Sequence, residues 1–202
     1  MPNHVYNNIL VSGTPEQIQA FKEKAQSGDR EFSYWNFVTP PQEAIDSGEY
    51  WQTNGWQDGE RKGNTPNNWY NFNNREWGTK WDTYDIQDTY IPKEQKDTLV
   101  GWAFCSAWSP PLPVFEAIAE QFPELEFDFD WEEEQGWGGE AIGAGGMFSI
   151  TREWDIPESH EDYVNLDREE SCNCALEEDS EYWYDDCPRK IELLASNPSE
   201  EL

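Results

Sequence analysis

NNWYNFNNREWGTKWDTYD (Asn67 to Asp85) and GWAFCSAWSPP (Gly101 to Pro111) decide how this chain folds. Within them Trp69, Trp77, Trp81, Trp102 and Trp108 recur among Tyr70, Phe72, Tyr84 and Phe104. Large rings each bury much apolar area, so this density supplies a core from few residues. Trp77, Trp81, Trp102 and Trp108 are therefore expected in the core, with Phe115. Thr98 to Ala107 (TLVGWAFCSA) is apolar on both faces, the pattern of a central strand, and Pro110-Pro111 stops it. Asn68 to Arg75 reads as a short helix broken by Gly78, and Trp81 to Ile86 as a polar, edge-like strand.

Working outward, Val5, Ile9 and Val11 alternate on one face of a first strand. Thr14 then caps a helix with Gln17 three residues on, and Pro15 suits the first helical position. Ile18, Phe21 and Ala25 form its apolar stripe. Glu31 to Pro41 reads as an extended aromatic segment packed on the sheet. Gln42 to Pro66, with four glycines, has the chemistry of a long inserted loop. Leu112 to Gln121 has helical periodicity and is ended by Pro123. Leu125 to Trp131 alternates strictly, with Leu125, Phe127, Phe129 and Trp131 on one face and Glu126, Asp128 and Asp130 on the other. Gly136 to Gly146 reads as a glycine-rich connection before a last strand, Met147 to Trp154. The order β, α, β, β, α, β, β describes an α+β fold. Two β-α-β units around one antiparallel sheet make it ferredoxin-like, the split βαβ arrangement, with two helices on one face.

The 202 residues suffice for one domain, residues 1–154, followed by an acidic tail, residues 155–202, partly ordered at most. From residue 152 onward there are 17 Asp or Glu against four Lys or Arg. Pro188 to Ala195 is the one helical stretch expected there. The whole chain carries a net charge of −29, which argues against direct nucleic-acid binding, since that needs a basic patch, and equally against anionic membrane surfaces. Cations and basic proteins are the partners such a charge attracts; solubility or a high-salt habitat explains it equally. The opening MPNHVYNNILVSG lacks a basic region followed by an apolar run, and a cytoplasmic location is expected. Four cysteines in a chain of this length do not read as a disulfide framework.

Three stretches together carry a resemblance. They are the start Met-Pro-Asn with Asn7 and Asn8 in the first strand, Trp69-Tyr70 followed by WGTKWD (Trp77 to Asp82), and SAWSPP (Ser106 to Pro111) leading through a helix into FPELEF. With these the chain resembles the YubB-type ferredoxin-like domain of phages, prophages and conjugative plasmids, over roughly residues 1–150. The resemblance implies the fold and a mobile-element origin; it supplies no catalytic residues. The loop at 42–66 and the tail stand outside it.

The candidate chemistry is sparse. Lys80 and Asp82 lie between tryptophans, so Trp69, Trp77, Lys80, Trp81, Asp82 and Trp108 are candidates for a ligand or nucleotide pocket, though aromatic stripes are more often packing. Cys172, Cys174, Cys187 and His160 are weak metal candidates, because their spacing lacks a paired C-x-x-C. Cys105 reads as a buried apolar residue. The glycine-rich stretch lacks a phosphate-loop lysine. Neither His4 nor His160 sits beside a nucleophile, so the reading is non-enzymatic, with no cofactor. Glu126, Asp128 and Asp130, extended by Glu132, Glu133 and Glu134, would form an acidic, DNA-mimic-like face. Its expected partner is a basic, nucleic-acid-binding host protein in a counter-defence role.

Overall fold

Residues 3–52, 55–57, 60–175 and 183–196 are described by a computed structural model. Its contacts divide the chain into two compact units, Met1–Trp154 and Asp155–Leu202. In the first unit β1 (His4–Ser12) buries Val5, Ile9 and Val11 completely on one face. Thr14 and Gln17 close the capping box of α1 (Pro15–Ala25), as the spacing predicts. The stripe Ile18, Phe21 and Ala25 is buried against the sheet, and Phe21 meets Trp102 and Phe127.

The stretch 31–41 is not extended throughout. It makes a 3-10 turn at Tyr34–Asn36 that seats Phe32 against Trp102 and Tyr34 against Phe104. The region read as a long loop contains α2 (Gln42–Asp46) and a hairpin of β2 (Gly55–Gln57) and β3 (Glu60–Lys62). Tyr50 and Trp51 pack on Trp35, which anchors this insertion; the Trp56 side chain lies outside the described residues. Next come α3 (Trp69–Phe72), a π-helical turn (Asn73–Trp77), β4 (Tyr84–Asp88) and β5 (Leu99–Ala107). Then follow α4 (Leu112–Gln121), β6 (Glu126–Glu133), β7 (Gly138–Ala144) and β8 (Met147–Trp154).

The sheet has six strands in the order β4-β5-β1-β6-β7-β8, and each adjacent pair is antiparallel. Its first four strands interleave two β-α-β crossovers: β1-α1-β4 reaches across β5, and β5-α4-β6 reaches across β1. That is the ferredoxin-like arrangement, extended by the β7–β8 hairpin. Both long helices cover one face, where Phe115 of α4 stacks on Phe129 at 4.3 Å between centroids.

Two expectations are corrected here. Gly136 to Gly146 is a strand with tight turns at its ends, because its glycines make room for rings. A Cβ on Gly139 would lie 2.4 Å from Trp131 Cζ2, and one on Gly138 2.7 Å from Trp154 Cζ2. At the two turns glycine serves the backbone instead, Gly136 with φ of 99° before β7 and Gly145 and Gly146 with φ of 60° and 80° after it. The strand expected at Trp81 begins instead at Tyr84, since Asp82 and Thr83 bond to the segment around Phe32.

The second unit holds α5 (His160–Asn165), a 3-10 turn at Glu169–Ser171 and α6 (Pro188–Ser196). No helix of the described residues is long and apolar enough to cross a membrane.

Candidate functional site

Of the residues expected to line an aromatic pocket, Trp77 and Asp82 are spent on holding the fold together, while Trp69, Lys80, Trp81 and Trp108 lie at or near the surface. Trp77 is buried, and its indole N–H donates to the Val38 carbonyl at 2.8 Å. Gly78 adopts φ 74°, and a Cβ there would sit 2.7 Å from Pro113 Cδ. Thr79 Oγ1 donates to the Ala107 carbonyl at 2.8 Å and accepts from the Ala107 amide at 3.0 Å. Ser109 Oγ donates to the Gly78 carbonyl at 2.5 Å, while Asn73 Nδ2 reaches the Lys80 carbonyl at 2.9 Å. WGTKWD and SAWSPP thus clamp one another, and the π-turn supplies the Asn73 brace. Asp82 accepts from Ser33 Oγ and the Tyr34 and Thr83 amides, and pairs with Arg30 at 3.0 Å.

Two tryptophans depart from the core expectation. Trp81 is 37% exposed and Trp108 53% exposed. Trp108 has φ 75°, a left-handed backbone that turns its side chain away from the layer β5 would place it in. Lys80 lies over the Trp81 ring at 4.8 Å and the exposed Tyr70 ring at 6.0 Å, a surface cation–π arrangement. Trp69 is half-buried beside Tyr70. A groove of 510 Å³ lies elsewhere, beside β4 and β5, lined by residues that include Lys22, Asp88, Tyr90, Lys93 and Lys96.

The face of the sheet away from α1 and α4 carries the acidic row. Glu126, Asp128 and Asp130 are exposed and Glu132 half-exposed along β6. Side chains on alternate strand residues lie roughly 6.5–7 Å apart, close to the distance between successive phosphates on one DNA strand. β7 adds Glu140 directly opposite Asp130, a residue hidden from the sequence reading inside the misread glycine stretch. Asn8 of β1 donates to Asp130 Oδ1 at 2.6 Å. Partial desolvation between neighbouring strands raises the Asp130 carboxyl pKa although the side chain reaches solvent, and Glu140, Glu132 and Asp128 add to this; the Asn8 bond acts the other way.

Glu133 does not extend the row. The alternation that turns Trp131 inward also turns Glu133 inward, leaving it 2% exposed. Its carboxylate accepts from Asn3 Nδ2 at 2.5 Å and from the Gln135 amide at 2.7 Å. Glu134 is exposed beyond the end of β6, 4.0 Å from His4 Nε2. His4 Nδ1 is hydrogen-bonded to the Tyr84 hydroxyl at 2.8 Å. That hydroxyl's pKa is pushed up to about 12, chiefly by burial.

In the second unit His160, Cys172, Cys174 and Cys187 converge, although the sequence spacing gave them little weight. Their ligand atoms all lie within 4.8 Å of one another. The three cysteines are buried and unbridged, and Tyr163, Trp183 and Tyr184 pack against them. Burial, then hydrogen bonds from the two neighbouring thiols, pushes the Cys187 thiol up to about 12.

Residues 76–175 match the family described as the ferredoxin-like domain in Api92-like protein. The chain carries a ferredoxin-like domain, as its strand order requires. Among solved structures it is similar to the protein Api92 from Yersinia pseudotuberculosis, with a TM-score of 0.49 and 8% identity, over 78% of this chain and 99% of that one. No curated protein matches the chain.

Proposed function

We propose that this chain is a non-enzymatic accessory protein of a phage or other mobile element, acting inside the host cell. Its acidic sheet face occupies the basic, nucleic-acid-binding surface of a host protein, as a counter-defence protein mimicking DNA would. The observation that carries this reading is the alignment of Glu126, Asp128, Asp130 and Glu132 on the face of β6 turned away from α1 and α4, with Glu140 alongside. The net charge of −29 supports it, because a field of that size draws a basic partner in from a distance.

Capture from host lysate at low and high salt identifies the partner, and competition with duplex DNA tests for a shared surface. Glu126→Lys, Asp128→Lys and Asp130→Lys together should weaken binding by about tenfold or more, mostly through slower association. Exposed charges are screened beyond about 10 Å at 0.1 M salt, so affinity should fall steeply with ionic strength. Unchanged affinity in the triple variant, or indifference to salt, defeats the proposal.

A further inference from the structure

The described residues of the second unit form almost no apolar core. Among its described residues the one buried cluster consists of Cys172, Cys174 and Cys187, edged by Tyr163, Trp183 and Tyr184. A unit this short and this acidic does not bury enough apolar surface to order itself, and small domains in that position use a metal or disulfides instead. Disulfides are not what the cysteines form. Cys172 Sγ lies 3.5 Å from Cys174 Sγ and 3.8 Å from Cys187 Sγ, against about 2.05 Å for a bonded pair.

Those separations fit a different chemistry. Zinc bound at about 2.3 Å to sulfur and about 2.05 Å to nitrogen in a tetrahedron places sulfurs about 3.8 Å apart and sulfur about 3.6 Å from nitrogen. His160 Nδ1 lies 3.3 Å from Cys172 Sγ and 3.5 Å from Cys174 Sγ. The donors come from three separate segments, and side-chain-to-backbone hydrogen bonds tie those segments together. Asp186, next to Cys187, accepts from the His160 and Glu161 amides at 2.9 Å each, which joins the Cys187 segment to the start of α5. Arg189 of α6 donates to the Cys174 carbonyl. The Ala175 amide returns to the Cys172 carbonyl at 2.8 Å, so Cys172-Asn173-Cys174 forms a tight knuckle.

From this geometry we propose that His160, Cys172, Cys174 and Cys187 form a structural zinc site that holds the second unit together. Three thiolates and one imidazole are a soft, closed donor set of four, which suits zinc and leaves no open position for catalysis. Binding releases the three thiol protons to solvent, and the filled site carries a net charge of −1. The proposal stands independently of the acidic-face reading, since it concerns different residues.

The test uses the full chain, purified under reducing conditions without chelator. Elemental analysis should give one zinc per chain. Cys172→Ser with Cys174→Ser should abolish it, Cys105→Ser should leave it unchanged, and His160→Cys should retain it as a four-thiolate site. Anaerobic replacement with cobalt should give thiolate-to-cobalt charge transfer and the intense visible bands of a tetrahedral site, a readout that needs only the unaltered protein. Wild-type protein without zinc and without a cobalt spectrum overturns the proposal. So does iron in place of zinc, or a disulfide among these cysteines in a digest of the non-reduced protein.

Discussion

Trp77 and Trp108 show how the same side chain takes opposite fates within one motif pair. Trp77 is enclosed by Tyr34, Trp35 and Phe72, with its N–H satisfied. Trp108 sits on a left-handed backbone with half its surface in solvent. Trp77→Ala should destabilise by about 3–5 kcal/mol in denaturant unfolding, the usual cost of deleting a buried large aromatic. Trp108→Ala should cost well under half as much; equal costs would contradict this assignment. Asp130 makes a second point at the same scale. Its pKa is raised in the folded state, so the folded chain holds that proton more tightly than the unfolded one, and stability falls as pH rises through the carboxylate range. Asp130→Asn should therefore raise the melting temperature at pH 7. The gain should vanish below about pH 3.9, where the unfolded carboxyl is itself protonated. A lower melting temperature at pH 7 would reverse the sign and refute the argument. Sequence alternation reveals which carboxylates face outward but not the neighbour that perturbs them, because Glu140 lies on a different strand.

Elements with purely local signals were legible in the sequence. The capping box marks the start of α1, a proline marks the end of α4, and the strict alternation in β6 identifies its core face. β7 was not legible, because its inward positions, Gly139, Ala141 and Gly143, carry little or no side chain. What fixes β7 is the bulk of Trp131, Trp154 and Phe127 on its neighbours, a tertiary requirement that no single stretch displays. Gly139→Val should thus fail despite the better strand propensity of valine, costing at least about 1–3 kcal/mol through overpacking against Trp131. A stabilised variant, measured by urea unfolding, would refute this account of the strand. The His160–Cys187 cluster stood in the sequence only as a weak metal candidate, for a similar reason. Its donors run from His160 to Cys187 without the paired spacing that betrays most zinc sites, and only the turns between them bring the atoms together.

At the scale of the whole molecule the two units use different means of stabilisation. Met1–Trp154 is built on stacked aromatic rings, and Asp155–Leu202 on a few sulfur and nitrogen atoms. Charge runs through both and governs association rather than fold. The strand order also governs how the protein is made. β1 is completed by residue 12, yet both its partners lie far downstream, at residues 99–107 and 126–133. At translation speeds of 5–20 residues per second, roughly 6–24 s separate the synthesis of β1 from that of the last residue of β6. For roughly the first 5–19 s, until β5 is complete, β1 has two vacant edges and an open inner face of Val5, Asn7, Ile9 and Val11, and its second edge then waits for β6. The opportunity for it to pair with another nascent chain is set by the ribosome's pace rather than by the stability of the finished domain.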